Sequence, residues 1–437
     1  MLEKKIKCIK DNWLILVIMS ISLIMHIFAF NELGFDYNLG SDDLNYIRSG
    51  ITFLEKGTVV MSRCHADISR CPSAQIMPGM TYLIAFLAFV FGQGNTLTVV
   101  LKVLWILMGI STINVVYKII NIYANKTISA LSCLFFLAVD FIWMNNVILT
   151  ETPYILLFSL LVYHTIKIAE KPNWKDYIYI VAYYILALFL RPNIGIYPLF
   201  LFIYLLIKKY NFKLLMKQCV IAGIVLLVVL TPWIYRNYKH FNKFIPLTYG
   251  IGNPLLLGTY QGTGYPSDEN LDYVTNVDEK MPEDMKYYLS NKEEKPHMSD
   301  YYRLEYDKLK AEYRMSEWWK KDKISMLKSY LIIKPFDLVY NTFYWDTVLG
   351  VEVGTLKIIR RVDIVLFAIA SIIILIDRSR FKEWFFLIMV YGCQVMLYAY
   401  TFAFGRYAIS MFFIRYIIIG IGIDIFVKKI KKMRYEK

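Results

Sequence analysis

The stretch KQCVIAGIVLLVVLTPWI, residues 217–234, carries a single charged side chain, at its first position. An α-helix of about 20 mostly apolar residues spans the hydrocarbon core of a bilayer. Similar apolar runs occupy residues 13–30, 362–376 and 407–427, and the whole chain is 57% hydrophobic. Backbone amides in lipid must be bonded within their own helix, which favours helices over open sheets. The sequence therefore predicts an all-α polytopic membrane protein.

The net charge of +14 comes from short loops and tails rather than from a nucleic-acid-binding surface. The long polar stretch at residues 236–328 is neutral, because it holds 15 acidic and 15 basic side chains. Lysine and arginine accumulate in the cytoplasmic loops of membrane proteins. No nucleic-acid-binding sequence pattern occurs, so we exclude nucleic acid as a partner.

Ten transmembrane helices follow if both termini are cytoplasmic, because almost every inward end is then basic. The predicted helices are residues 13–30, 97–119, 128–144, 150–168, 177–190, 194–207, 217–235, 360–377, 384–403 and 407–427. The chain then divides into a membrane module at 1–235, with a first external loop at 31–95, an external cap at 236–358, and C-terminal helices with a basic cytoplasmic tail at 359–437. The apolar segment 81–93 is short for a span, so we expect it to lie along or dip into the outer leaflet.

An acidic residue interrupts an apolar run in ILTETPYILL, residues 148–157, at the predicted outer end of the fourth helix. Ionisable residues at membrane depth are costly and usually functional, so Glu151 is a candidate site residue. A structural role is also open. Thr150 would cap the helix, Pro153 would lie in its first turn, and the acid would favour the positive helix end.

A second acidic pair, Asp42 and Asp43, lies in NLGSDDLNYIRSG, residues 38–50. Apolar residues follow at helical spacing, beginning with Tyr46, which predicts a short amphipathic helix on the membrane surface with Asp42 near its N-terminus. Ser41 and Asp42 are also favoured helix caps, so capping alone would account for them.

Several motifs follow one another along the chain. They are NLGSDDLNYIRSG (38–50), CPSAQIMPGMTYLIAFLAFVFG (71–92), VILTETPYILLFSLL (147–161), ALFLRPNIGIYPLFL (187–201), LTPWIYRNYKHFNKFIPLTYGIGNPLLLGTY (230–260) and FGRYAIS (404–410). In this order the chain resembles the GT-C membrane glycosyltransferases of the protein O-mannosyltransferase and lipid A aminoarabinose transferase superfamily. It looks most like the bacterial members described as dolichyl-phosphate-mannose-protein mannosyltransferase-like. The resemblance covers most of residues 10–260 and recurs weakly at 400–420.

The resemblance implies a GT-C-type helical bundle with juxtamembrane helices in the first external loop. It also implies transfer of a sugar from a polyprenyl-phosphate donor to an acceptor on the external face, with inversion at the sugar carbon. The acceptor would be a protein, a polysaccharide or a glycolipid. The family's first-loop acid falls on Asp42, with Asp43 as the neighbouring alternative, and its tyrosine falls on Tyr46. The second acid of the family falls on Glu151.

Further family positions fall on residues at predicted helix ends. A Pro-Gly-Tyr-Pro stretch aligns with Met77, Pro78, Gly79 and Met80, an Arg-Pro pair with Arg191 and Pro192, and a Pro-Trp-x-x-Arg-Asn stretch with Pro232, Trp233, Arg236 and Asn237. In the first of these stretches Met80 stands where the family has an aromatic residue.

The chemistry of such a transfer suits these residue types. A polyprenyl phosphate is already a leaving group, and the chain has no P-loop or dinucleotide motif. Asp42 is our candidate general base for the acceptor hydroxyl, since a positioned carboxylate can supply roughly 10²–10⁴-fold. Arg236 is the first candidate for the donor phosphate, followed by Arg191 and Arg406, although interfacial snorkelling would explain each arginine alone. Glu151 would orient the acceptor or hold a divalent metal cation together with Asp42.

Two other classes of membrane protein compete with this hypothesis. Transporters and lipid flippases usually contain inverted repeats with broken helices at mid-membrane, and no repeat relates the two halves here. A polysaccharide polymerase or ligase would rely on arginine and histidine in the large loop more than on Asp42 and Glu151. In the first external loop Cys64 and Cys71 would be able to form a disulfide.

Overall fold

The computed structural model describes residues 12–61, 71–345 and 347–435. Within these ranges the chain is built from helices and contains no β-strand, so the predicted all-α membrane architecture is confirmed. Cys71 is disulfide-bonded, and its predicted partner Cys64 lies outside the described residues.

The helices of the N-terminal part include most of the membrane-spanning segments. In chain order they are α1 (Trp13–Leu33), α2 (Asp42–Lys56), α3 (Gly79–Phe91), α4 (Asn95–Asn121), α5 (Lys126–Leu131), α6 (Val139–Met144), α7 (Glu151–Glu170), α8 (Trp174–Leu190), α9 (Tyr197–Ile207) and α10 (Phe212–Phe241). Two 3₁₀ segments, Ser132–Leu137 and Pro192–Ile196, lead into α6 and α9.

The remaining helices form a cap and the C-terminal part of the bundle. They are α11 (Gly252–Gly258), α12 (Glu283–Ser290), α13 (Pro296–Lys321), α14 (Lys323–Lys328), α15 (Lys334–Tyr340), α16 (Val353–Asp377), α17 (Phe381–Tyr400), α18 (Gly405–Ile409) and α19 (Phe412–Tyr435). A π-helical turn, Ser329–Ile333, joins α14 to α15.

Each of the ten predicted spans coincides with a helix or with a broken helix. Among the described residues, α1, α4, α7, α10 and α17 are long and apolar enough to cross a membrane. The helix α8 has 17 residues and is slightly too short to be counted with them. The helices α16 and α19 contain buried charged residues within their apolar lengths. The bundle as a whole is therefore less apolar than α1, α4, α7, α10 and α17 alone would indicate.

Two predicted helices are broken in the structure. The third predicted span divides into α5, a 3₁₀ segment and α6, and the break at Ala138 precedes Asp140, whose carboxylate is ion-paired with the buried Arg360. The tenth divides into α18 and α19, with Ser410 and Met411 between them. A buried charged side chain lies beside each break, Asp140 at the first and Arg406 at the second.

The first loop forms a pair of short helices that pack on each other and on α8. Ser49 and Thr81 share a hydrogen bond of 2.8 Å between their hydroxyls, which joins α2 to α3. At the start of α3, a Cβ on Gly79 would lie 2.5 Å from the carbonyl oxygen of Phe189, so only glycine permits this approach. With 13 residues, α3 is about 20 Å long, which is short of a bilayer crossing.

The cap is attached to the loop that leads from α17 to α18. The Gln261 amide donates to the Ala403 carbonyl at 2.9 Å and accepts from the Ala403 amide at 2.8 Å. The Lys334 ammonium donates to the carbonyl of Thr401 at 3.2 Å. Three cap-side contacts therefore fix the backbone immediately before α18.

Candidate active site

Glu151, the first residue of α7, is fully buried and paired with two arginines. Its Oε1 accepts a hydrogen bond from Arg406 Nε at 2.6 Å and lies 3.3 Å from Arg191 Nη1. The Thr150 hydroxyl donates to Glu151 Oε2 at 3.3 Å and makes no capping hydrogen bond to the helix. A buried charge requires such pairing, so Glu151 serves to hold the two guanidinium groups rather than to end a helix.

Arg406 joins Glu151 to Asp42. Its Nη1 lies 2.9 Å from Asp42 Oδ2, while its Nε is bonded to Glu151. The Asp42 side chain is 39% exposed, whereas that of Arg406 is 11% exposed and that of Glu151 is completely buried. Of the two carboxylates that Arg406 bridges, Asp42 is therefore the one that an incoming molecule can reach.

Arg191, the residue after α8, lies within a cage of tyrosine rings. Its guanidinium carbon is 5.1 Å from the ring centre of Tyr407 and 5.6–5.7 Å from those of Tyr154 and Tyr398. Although Nη1 is close to Glu151, it makes no hydrogen bond of acceptable geometry. Arg191 thus presents a buried donor that lacks a hydrogen-bond acceptor, among the described residues.

Asn193 fixes the turn that carries Arg191. Its amide nitrogen donates to Gln394 Oε1 at 2.6 Å and to the Tyr398 hydroxyl at 2.8 Å, which ties the turn to α17. The backbone of Arg191 is therefore positioned from the opposite side of the bundle.

Tyr46 and Asp43 are both buried on α2 but have different partners. Tyr46 is buried beside Asp42 and the two arginines, and burial together with the Asp42 carboxylate raises its pKa above the ordinary value. Asp43 accepts hydrogen bonds from the backbone amides of Leu39 and Ser41 at 2.6 and 3.1 Å. Asp43 therefore fixes the loop that leads into α2, while Ser41, at the N-cap position, makes no side-chain capping hydrogen bond.

Arg236, Trp233 and Asn237 lie near the end of α10 and bind backbone carbonyls rather than the Asp42–Glu151 cluster. Arg236 donates to the carbonyls of Val59 and Ser73 at 2.9 and 2.8 Å. Trp233 and Asn237 donate to the carbonyls of Leu247 and Ile245. These three residues hold the first loop and the start of the cap against α10.

The two carboxylates suggested as metal ligands share one arginine. Asp42 and Glu151, the two carboxylates suggested as ligands, both face the guanidinium of Arg406. In the described part of the chain, no group of three or more histidine, cysteine, aspartate or glutamate side chains could hold a metal. Hard divalent cations need several oxygen ligands, whereas here arginine supplies the positive charge between the carboxylates.

Sequence reasoning missed the aromatic and amide residues around the arginines. Tyr154 lies one turn after Glu151 on α7, and Asn193 follows the Arg-Pro pair by one residue, so both could have been found by helical or local spacing. Tyr398 lies shortly before the FGRYAIS motif, but nothing in the sequence set it apart from the many other tyrosines of the chain.

Comparisons with known proteins agree with this architecture. The chain matches the crystal structure of the oligosaccharyltransferase of Archaeoglobus fulgidus in its apo form, with a TM-score of 0.57, 11% identity and 98% of this chain covered. It matches the oligosaccharyltransferase AglB of the same organism, in complex with an inhibitory peptide and a dolichol-phosphate, with a TM-score of 0.55 and 12% identity. In both cases the chain spans about half, 52%, of the matched protein.

A third solved structure is ArnT from Cupriavidus metallidurans bound to undecaprenyl phosphate. This match has a TM-score of 0.43 and 12% identity, and it covers 94% of this chain and 77% of ArnT. No curated protein sequence matches the chain.

The fold of the chain is of the GT-C type, as in the two archaeal oligosaccharyltransferases. More particularly, residues 73–235 match the sequence model of the dolichyl-phosphate-mannose-protein mannosyltransferase family. That segment includes Glu151 and Arg191, whereas Asp42 and Arg406 lie outside it.

Proposed function

We propose that the protein transfers a sugar from a polyprenyl-phosphate donor to an acceptor hydroxyl, with inversion at the sugar carbon and with Asp42 as the general base. One observation carries the proposal. The guanidinium of Arg406 links an exposed carboxylate, Asp42, to a buried one, Glu151, beside a second arginine that has a donor to spare. Such a site can hold an anionic leaving group next to a base.

The roles follow from the exposure and the partners of each group. The acceptor oxygen attacks the anomeric carbon, and its proton passes to Asp42. The bond from the anomeric carbon to the phosphate oxygen breaks, and the electron pair leaves with the phosphate. Arg191 and Arg406 stabilise the phosphate by charge-assisted hydrogen bonds, while Glu151 holds both guanidinium groups in place. Arg236 has no part in this scheme, because its guanidinium binds the backbone carbonyls of Val59 and Ser73 rather than the Asp42–Glu151 cluster.

The lipid donor and the side of the membrane are part of the same proposal. The archaeal neighbour, whose structure contains a peptide and a dolichol-phosphate, supports a lipid-phosphate donor. The basic loops at the opposite end of the bundle support an external site with both termini cytoplasmic. The acceptor is a protein, a polysaccharide or a glycolipid that presents a hydroxyl to Asp42.

The direct test uses purified protein in lipid vesicles with a panel of radiolabelled polyprenyl-phosphate sugars. We expect Asp42→Asn to lower transfer by roughly 10²–10⁴-fold, since the amide cannot accept the proton. Asp36→Asn is the matched control, because Asp36 lies exposed in the same loop and makes no contact with the cluster. Transfer that persists at the wild-type rate in Asp42→Asn would refute the assignment of the base.

Removal of metal ions gives a second test. Because Arg406 occupies the position between the carboxylates, we expect a chelator to leave transfer unchanged and added divalent cations to give no stimulation. Loss of transfer in chelator, restored by one divalent cation, would show that the carboxylates exchange their arginine for a metal.

A further inference from the structure

The base of the cap exposes a stripe of large apolar side chains. The helices α14 and α15 and the π-turn between them run without interruption from Lys323 to Tyr340. One face of this run is buried, whereas the other face exposes Ile324, Leu327, Leu331, Ile332 and Phe336. Ile324, Leu327 and Leu331 recur at three- and four-residue steps, and Phe336 follows Ile332 by four. All five side chains are 46–80% exposed. A contiguous apolar patch of this kind marks a surface that is covered by another molecule.

The position of this stripe along the bundle is fixed by Lys334. The Lys334 ammonium donates to the carbonyls of Gly258 and Thr401 at 3.0 and 3.2 Å. Thr401 directly follows α17, which is one of the helices long and apolar enough to span a bilayer. The apolar stripe therefore lies at the level where α17 leaves the membrane, and its neighbour is the lipid interface.

A groove opens between the cap and α17 at this level. It encloses about 220 Å³ and is lined by Met315, Trp319, Met326, Leu327, Leu331 and Met396, among others. Flexible methionine side chains adapt to irregular hydrocarbon.

The groove is separate from the candidate active site. Met396 and Tyr400, four residues apart on α17, line the groove, whereas Tyr398 contacts Arg191. Residues two apart on a helix point in nearly opposite directions. The helix α17 therefore stands between the groove and Arg191, which makes the groove unsuitable for presenting a lipid phosphate to that arginine.

Basic side chains border the mouth of the groove. Lys323 and Lys328 begin and end α14, both are exposed, and the Lys323 ammonium lies 5.5 Å from the ring centre of Trp319. Of the acids nearby, Glu317 is paired with Lys320, and Asp322 accepts the backbone amide of Ser325. An apolar helix face with lysines beside it and an interfacial tryptophan fits a membrane surface of negative charge.

We propose that this groove binds the acyl chain of an anionic phospholipid, with the lipid phosphate held by Lys323 and Lys328. The bound lipid covers the apolar stripe and secures the base of the cap to the membrane beside α17. Under the proposed function, the isoprenoid chain of the sugar donor, which is the other candidate occupant, belongs on the opposite face of α17, where Tyr398 contacts Arg191.

The test measures quenching of Trp319 by brominated lipids in vesicles. The chain has nine tryptophans, so the contribution of Trp319 is taken as the difference between the wild type and Trp319→Phe. Vesicles contain equal mole fractions of dibrominated phosphatidylglycerol or dibrominated phosphatidylcholine. We expect roughly fivefold stronger quenching by the anionic lipid, the factor that one interfacial lysine supplies.

Two double variants complete the test. Lys323→Gln with Lys328→Gln should remove the preference for phosphatidylglycerol, whereas Lys280→Gln with Lys292→Gln, on exposed parts of the cap that do not line the groove, should keep it. Equal quenching by both lipids in the wild type, or none by either, would overturn the proposal. Recovery of Trp319 emission on adding unbrominated polyprenyl phosphate, but not on adding more phosphatidylglycerol, would assign the groove to the donor instead.

Discussion

Arg406 is the residue through which the two carboxylates of the candidate site interact. A guanidinium offers several donors in a fixed plane, so its Nε can bind Glu151 while its Nη1 binds Asp42. The ammonium of a lysine is a point charge on a flexible chain and cannot hold this arrangement. The geometry of Asp42 therefore depends on arginine rather than on positive charge alone.

We expect Arg406→Lys to fold but to lose about 10²-fold in transfer, the scale of one preorganised electrostatic contact. The measurement is turnover of a radiolabelled polyprenyl-phosphate sugar together with size-exclusion chromatography. Arg48→Lys on the exposed face of α2 is the matched control and should retain full turnover. If Arg406→Lys retained full turnover as well, the bridge would not be required.

The residue scale also marks the limit of prediction from sequence. Asp42, Glu151, Arg191 and Arg406 could each be picked out, because each falls within a motif of the family that the chain resembles, and Glu151 also interrupts an apolar run. The contact between Arg406 and Glu151 could not be predicted from the sequence, since the two residues are 255 positions apart. Arg236 has the same residue type and a similar position at a helix end, yet its partners are backbone carbonyls, which only the fold reveals.

At the scale of single elements, the packing of α3 on α8 depends on one glycine. A methyl group on Gly79 would meet the Phe189 carbonyl at 2.5 Å, and the two residues lie close to Pro78 and Arg191 along the chain. Any shift of α8 at this point moves the turn that holds Arg191.

We expect Gly79→Ala to destabilise the protein by about 1–3 kcal/mol, the usual cost of overpacking, and to reduce transfer through the displaced Arg191. Thermal unfolding in detergent, followed by tryptophan fluorescence, measures the first effect. Gly195→Ala is the matched control, because a Cβ there meets nothing within 4 Å. Equal melting temperatures for the two variants would contradict this packing argument.

The elements themselves were largely predictable, whereas their interruptions were not. Apolar runs such as 217–234 form helices because their hydrophobicity places them in lipid, where the backbone must satisfy its own hydrogen bonds. The breaks at Ala138 and after Ile409 are local departures from the helix that place Asp140 and Arg406 against distant partners. A pattern based on neighbours in sequence contains no information about such partners.

Across the whole molecule, a second buried charge network joins distant segments. Arg360 on α16 binds Asp140 on α6 at 3.1 Å and Asp363 at 3.0 Å, while Arg415 on α19 binds Asp363 at 2.9 Å. All four side chains are fully buried. Their formal charges cancel, so the network fixes the C-terminal helices to the N-terminal module without a net charge in the bundle.

We expect Arg360→Met to cost about 3–5 kcal/mol of stability, because Asp140 is then buried without its partner. The double variant Asp140→Leu with Arg360→Met should recover part of this loss, since paired apolar replacement removes the unpaired charge. Thermal unfolding measures both effects. Arg361→Met, at the exposed neighbouring position, should melt close to the wild type, and a similar loss there would argue against the network.

The attachment of Gln261 to Ala403 couples the position of the cap to that of Arg406. The Gln261 side chain, which belongs to the cap, hydrogen-bonds both the backbone amide and the backbone carbonyl of Ala403. Ala403 lies three positions before Arg406. A movement of the cap would therefore either pull Arg406 away from Asp42 and Glu151 or break the two hydrogen bonds to Ala403. Binding of a molecule to the cap would therefore change how strongly Arg406 neutralises the Asp42 and Glu151 carboxylates of the candidate site.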